Sequence, residues 1–276
     1  MNRIHPLRHC AGLVLAGVLA SPPALAQAAP DTPSGLWKYG GTLYLYLPSL
    51  SGKSSVPADG GTPINIDASK VIDSLKFTVM GTLEAHNGRW GGFTDLMYLN
   101  LGNTKHQSRD FTIGNIGLPA GTTADLGWDL KGVIWTVGGQ YRLVASPGLT
   151  LDALGGARLF DIKQKIRWDI VGDIGPITPP GRSGSSETTE KLVDAIVGFN
   201  GRLALGDSNR WSLPYYADVG AGESKLTWQA AGGVSYAYEW GEAKLMWRHL
   251  AYDLKSGSNI KSLSFSGPLL GATFRW

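Results

Sequence analysis

Along almost all of the chain after residue 26, apolar and polar residues alternate with a period of two, and nowhere there do 18 apolar residues run together. A period of two builds strands, and without a long apolar run no helix can cross a bilayer. In "LWKYGGTLYLYL" Trp37, Tyr39, Leu43, Leu45 and Leu47 share one face, and Lys38, Thr42, Tyr44 and Tyr46 the other. "KFTVMGTLEA" sets Phe77, Val79, Leu83 and Ala85 against Lys76, Thr78, Thr82 and Glu84. "KGVIWTVGGQYRL", "LVDAIVGFNGRLAL" and "LTWQAAGGVSYAYEW" repeat the pattern.

The polar faces are unlike those of a sheet in water. They hold one or two charges per strand and many small residues, Gly138, Gly156, Gly198 and Gly220 among them. Charged residues make up only 17% of the chain, against about 25% in an average soluble domain. The apolar faces carry aromatics near the strand ends: Trp37, Tyr39, Tyr141, Trp211, Tyr236, Tyr238 and Trp240. Such rings favour a membrane–water interface. Connections alternate in length. "HNGRW" (86–90), "SPG" (146–148), "GDSN" (206–209) and "WGE" (240–242) are short, while 51–74, 104–126 and 171–189 are long and polar. Short turns at one end and long loops at the other match a transmembrane barrel. The expected fold is therefore all-β: an antiparallel up-and-down transmembrane β-barrel of about ten strands, with 8–12 compatible. The strands are placed near 36–48, 75–86, 89–102, 127–145, 149–168, 189–205, 210–222, 225–239, 242–254 and 261–276. A short helix is expected within "IDASKVIDSLKF". An even strand number puts both termini on the periplasmic side. The last strand must pair with the first, because lipid cannot satisfy an open sheet edge.

Residues 1–26 read as a signal peptide. Arg3 and Arg8 precede "AGLVLAGVLA", and the small residues Ala24 and Ala26 predict cleavage before Gln27. This leaves a periplasmic segment at 27–35 and the barrel at 36–276. The lone Cys10 would leave with the leader, so no disulfide is expected. Loss of Arg3 and Arg8 takes the net charge from +3 to about +1, which gives a nucleic-acid partner no support.

"FTVMGTLEAHNGRWGGFTDLMYLNLG" resembles the strand–turn–strand block of a family of small bacterial outer-membrane β-barrels, mostly uncharacterised. Glu84, Ala85, Gly88, Arg89, Trp90, Asp95, Tyr98 and Leu101 fit that block, and His86 replaces its usual arginine. The closing "GPLLGATFRW" is also similar to the family's last strand. The resemblance implies export to the outer membrane of a Gram-negative bacterium. It also implies that the assembly machinery reads the final strand, a role falling on Leu270, Phe274 and Trp276. It implies no activity.

Alternation assigns to the lumen the acids Glu84, Asp95, Asp152, Asp194, Asp218 and Glu239. The bases assigned there are Lys38, Arg142, Arg158, Arg202, Arg248 and Arg275. In a narrow lumen these should pair, since an unpaired buried charge costs several kcal/mol. A barrel of this size is filled by side chains, and wide pores need 16–18 strands. The expected role is structural, or diffusion of small solutes past a largely filled polar lumen. The expected partners are outer-membrane lipid and lipopolysaccharide and the assembly machinery, and the expected state is a monomer. The first competitor is a hydrolase at the barrel rim, acting on lipid or peptide. His106 with Asp110 in a loop, or His249 with Ser264 or Ser266 on the next strand, would supply its base and nucleophile. His86 sits at a short turn, far from both. The second competitor is a soluble secreted β-sandwich. No catalytic set, cofactor site or metal site is assigned.

Overall fold

A computed structural model describes residues 35–54, 62–106, 112–113, 116–117, 123–171, 183–206, 210–258 and 260–276. The expected signal peptide (1–26), residues 27–34 and Asp110 lie outside them. The strands are β1 (Lys38–Tyr46), β2 (Ser49–Ser54), β3 (Thr62–Ile66), β4 (Leu75–His86), β5 (Trp90–His106), β6 (Thr112–Ile113) and β7 (Ile116–Gly117). They continue as β8 (Thr123–Ala145), β9 (Leu149–Val171), β10 (Ser183–Leu205), β11 (Trp211–Gly222), β12 (Leu226–Ala237), β13 (Glu242–Asp253) and β14 (Ile260–Arg275). One short helix, α1 (Ala68–Asp73), falls in the stretch expected to hold one.

Ten of these strands pair antiparallel in the order β1-β4-β5-β8-β9-β10-β11-β12-β13-β14, and β14 returns to β1. The result is a closed barrel of neighbouring strands. Closure runs from Gly40↔Arg275 to Tyr46↔Leu269. Tyr39 and Trp276 extend it by exchanging backbone hydrogen bonds of 3.0 and 3.1 Å. The sandwich alternative needs two packed sheets, and this wall is a single closed one.

The turns follow from sequence. At 86–90 the Asn87 side chain accepts the Arg89 and Trp90 amides at 3.1 and 2.7 Å. Gly88 supplies the positive φ of 94° that the reversal needs. The first expected strand ends just before Pro48, which has no N–H to give a ladder, and β2 and β3 fall largely in the stretch expected as a long loop. β2 resumes beside the upper half of β14, from Ser49↔Ser266 to Ser54↔Ile260. β4 meets β1 only from Lys38↔His86 to Leu43↔Gly81. Above that level β3 lies against β2, and the chain returns to β4 through α1.

β8, β9 and β10 are 23 residues each and run beyond their expected ends. Ser183–Thr189, expected as loop, is strand. Cross-strand ion pairs support this protruding sheet: Lys163–Glu187 at 2.5 Å, Lys191–Asp161 at 3.1 Å and Arg167–Asp129 at 2.5 Å.

The outer face is apolar over a belt of fixed height. On β10 it runs through Leu203, Phe199, Val197, Ala195 and Val193, then gives way to Lys191 and Glu187. Lys131 on β8 and Asp161 and Lys163 on β9 mark the same boundary. Roughly 11 residues of tilted strand match the apolar band of about 25 Å in known transmembrane barrels. Leu43, Leu83, Val197 and Leu270 are at least 60% exposed, while the charged Arg158 has no exposed surface. That distribution is inverted relative to a protein in water.

Candidate functional site in the lumen

The inward register is set by the pleat, so each side chain's place follows from its partner across the sheet. Gly40↔Glu84, Thr82↔Asp95 and Asp95↔Thr136 put Lys38, Glu84 and Asp95 on the inner face. Arg142↔Asp152, Arg158↔Asp194 and Gly198↔Asp218 place five more charges there. Arg202, Arg248 and Arg275 share that face. Glu239 does not. β12 ends at Ala237, and Tyr238 to Gly241 form an exposed turn closed by Tyr238 N to Gly241 O at 2.8 Å. The inward acid of this region is Glu242, three residues on, which takes Arg275 as its partner. The alternation through Tyr238 and Trp240 hid the turn.

Two buried networks cross the lumen. In one, Arg248 donates to Asp95 at 2.9 Å, to Gln229 at 2.7 Å and to the Tyr44 hydroxyl at 3.0 Å. Tyr44 and Thr82 each donate to Asp95 at 2.8 Å. In the other, Arg158 makes a forked pair with Asp218 and reaches Thr136 at 3.1 Å. Fork-to-fork pairing satisfies both groups, which a charge with no exposed surface requires. Between the networks Phe93 on β5 meets Tyr216 on β11 edge-on, with ring centroids 6.3 Å apart. Gly138 makes room for Phe93, since a Cβ there would stand 2.9 Å from its ring. Asp194 is fully buried and accepts the Ser224 amide at 2.8 Å.

The networks divide the lumen into unlike halves. Toward the loops it is packed with apolar side chains, including Met80, Met97, Phe160, Ile162, Leu192 and Leu250, and Val71 of α1 joins them. The expectation of a polar filling is corrected there. The signal lay in "GVIWTV" and "ARLFDI", where apolar residues occupy both faces of the strand. Toward the short turns lies a cup of about 530 Å³. Its wall includes Lys38, Glu84, Arg142, Asp152, Arg202 and Lys244, and Arg248 and Asp95 form part of its floor. Arg142 and Asp152 are paired there, with a second contact of 3.0 Å.

The outer surface at the turn end carries an almost continuous band of rings. Trp211, Tyr236, Tyr238, Trp240 and Phe274 touch in succession at 4.7 to 5.5 Å. Trp276 stacks on Tyr39, and Trp90 meets Tyr141 edge-on at 4.7 Å. Trp37 and Leu270 are also exposed.

The rim histidines do not assemble a catalytic set among the described residues. His249 faces outward and lies against Trp228 at 4.7 Å. Ser266 accepts the Trp247 indole N–H at 3.1 Å, and Ser264 donates to Ser51 O at 3.2 Å. His106 ends β5, and its proposed partner Asp110 is not described. No group of three or more His, Cys, Asp or Glu side chains suited to a metal occurs among the described residues.

No protein-family model matches the chain, and no curated protein does. Solved structures similar to it include Ail, the attachment invasion locus protein of Yersinia pestis, at 12% identity and a TM-score of 0.34, over 87% of this chain and 98% of that one. The translocator domain of the autotransporter NalP from Neisseria meningitidis matches at 13% identity and 0.30, over 89% and 90%. CarO of Acinetobacter baumannii matches at 13% identity and 0.24, over 84% and 98%.

Proposed function

We propose that the protein is an integral outer-membrane β-barrel with a structural role, closed to solute flow and open only toward the periplasm. The observation that carries this reading is the division of the lumen: apolar side chains fill the loop half, Arg248 and Asp95 form part of the floor of the cup, and a second buried pair, Arg158 with Asp218, also crosses the lumen. An ion crossing it would have to leave water for a packed apolar interior, at a cost of several kcal/mol. The inverted outer face supports membrane insertion, since a belt of about 25 Å hides it from water only in lipid. On the outer face above the belt, the described side chains of β8 to β10 include the bases Lys131, Lys163, Lys165, Arg167 and Lys191 and the acids Asp129, Asp161 and Glu187. This collar suits the phosphates of an outer leaflet rich in lipopolysaccharide. Trp276, paired and stacked at the seam, suits recognition by the assembly machinery. The barrel is read as a monomer. A rim hydrolase is disfavoured by Trp247, which already holds Ser266, and by Trp228, which holds His249.

Planar-bilayer recording on purified, heat-modifiable protein tests the reading. The expected result is no unitary current in concentrated potassium chloride. Stepwise openings at low voltage would overturn it.

A further inference from the structure

The cup holds more positive charge than its own carboxylates neutralise. Six cationic side chains line it against four carboxylates. Arg142, Arg248 and Arg275 are paired with Asp152, Asp95 and Glu242. Lys38, Arg202 and Lys244, from β1, β10 and β13, make no ion-pair contact among the described residues, though Lys244 also lies in the field of Glu242, and Glu84, the remaining acid, makes none either. The surplus is therefore positive and is spread around the mouth.

Three lining residues, Asn200, His86 and Tyr216, each have a buried polar atom with no hydrogen-bond partner among the described residues. Asn200 Oδ1 has none among the described residues. His86 Nδ1 accepts the Gly88 amide at 2.8 Å, so the proton of the neutral ring sits on Nε2. That N–H is buried and makes no hydrogen bond; the Asp152 carboxylate oxygen stands 3.7 Å away, within ion-pair range of the protonated ring. A buried donor left unmade costs about 1–3 kcal/mol, so such groups mark a place for a polar guest. Apolar surface completes the wall: Phe93, Met246, Leu269, Pro214 and Ala231. A cavity of this size with apolar walls and a few polar groups has the make-up of a small-molecule site.

We propose that the cup binds a small organic anion with a compact apolar body. Arg202 on β10 and Lys244 on β13 attract its acid group, and the apolar lining, Phe93, Met246 and Leu269 among it, contacts its body. The inference rests on the closed-barrel reading, because a dead-ended cup retains a ligand that an open channel would pass.

The test is titration calorimetry on the full barrel in lipid nanodiscs with three probes: phenyl phosphate, inorganic phosphate and benzylammonium. Phenyl phosphate is expected to saturate at one per barrel, inorganic phosphate to bind more weakly, and benzylammonium not to bind. Arg202→Gln with Lys244→Gln should weaken phenyl phosphate by about tenfold or more. Lys131→Gln with Lys163→Gln, on the outer collar, should leave it unchanged. Heat-modifiable migration reports folding, and either cup substitution alone serves if the pair fails to fold. Equal binding of benzylammonium, undiminished binding by the cup variant, or no saturable heat would each overturn the proposal. Failure of the closed-barrel reading shows separately, as unitary current.

Discussion

Arg158 has no exposed surface, yet the next side chain on its strand, Leu159, faces outward and is exposed. Such a charge persists only because Asp218 meets it with both oxygens, at 3.0 Å on one side and closer on the other. Arg158→Ala should therefore cost about 3–5 kcal/mol by leaving Asp218 buried and unpaired. The pair Arg158→Met with Asp218→Leu should recover most of that loss, read as the temperature at which the folded band converts in detergent gels. If the single variant converts with the unaltered protein, the network contributes nothing to stability, and if the double converts with the single, the loss does not come from an unpaired Asp218. Gly156 faces Gly138 across the ladder, and a Cβ on it would stand 2.1 Å from Val137 O. Backbone cannot yield, so Gly156→Ala should destabilise by about 1–3 kcal/mol or more in the same assay. On the collar, the hydrogen bond from Lys76, with Arg167 beside it, holds the Asp129 carboxyl below its usual range. A depressed pKa gives stability above the unfolded value that is lost as pH falls through the folded one. The pair is exposed and screened, so the effect is small. It should appear only below about pH 4, and Asp129→Asn should remove it.

At the scale of elements, the closing strand and the β1–β4 seam differ in how well they are tied. β14 is paired along both sides, and Trp276 adds two backbone hydrogen bonds with Tyr39. Deleting Trp276 should lower the assembled fraction without abolishing export, measured as heat-modifiable protein in the membrane. Equal assembly would count against its role. β4 above Gly81 has no strand partner toward β1 among the described residues. Amides on that edge between Leu75 and Met80 should exchange with deuterium faster than those between Gly81 and Ala85; equal protection would contradict this. The strand pattern was legible because lipid keeps most outward residues of the belt apolar. The seam was not, because it depends on where Pro48 turns the chain along β14. Nor was the length of β8 to β10, since above the belt the outer face is charged and reads as loop.

Over the whole molecule, inward and outward registers could be assigned from alternation, and Asp95, Arg158, Asp218 and Arg248 occupy the lumen by the same rule. Their partners could not be assigned, because contacts across a lumen depend on barrel closure and not on sequence spacing. The apolar loop half was hidden for a related reason: where both faces of a strand are apolar, alternation no longer separates inside from outside. We read the lumen as one cavity, shut toward the loops and open toward the turns. Single cysteines probed in oriented vesicles with a charged, membrane-impermeant thiol reagent test it most directly. Glu84→Cys in the cup should label only from the turn side, Lys191→Cys on the collar only from the loop side, and Leu192→Cys in the apolar half from neither. Labelling of Leu192→Cys from the loop side, or of Glu84→Cys from both sides, would show a lumen open through the barrel and contradict the account.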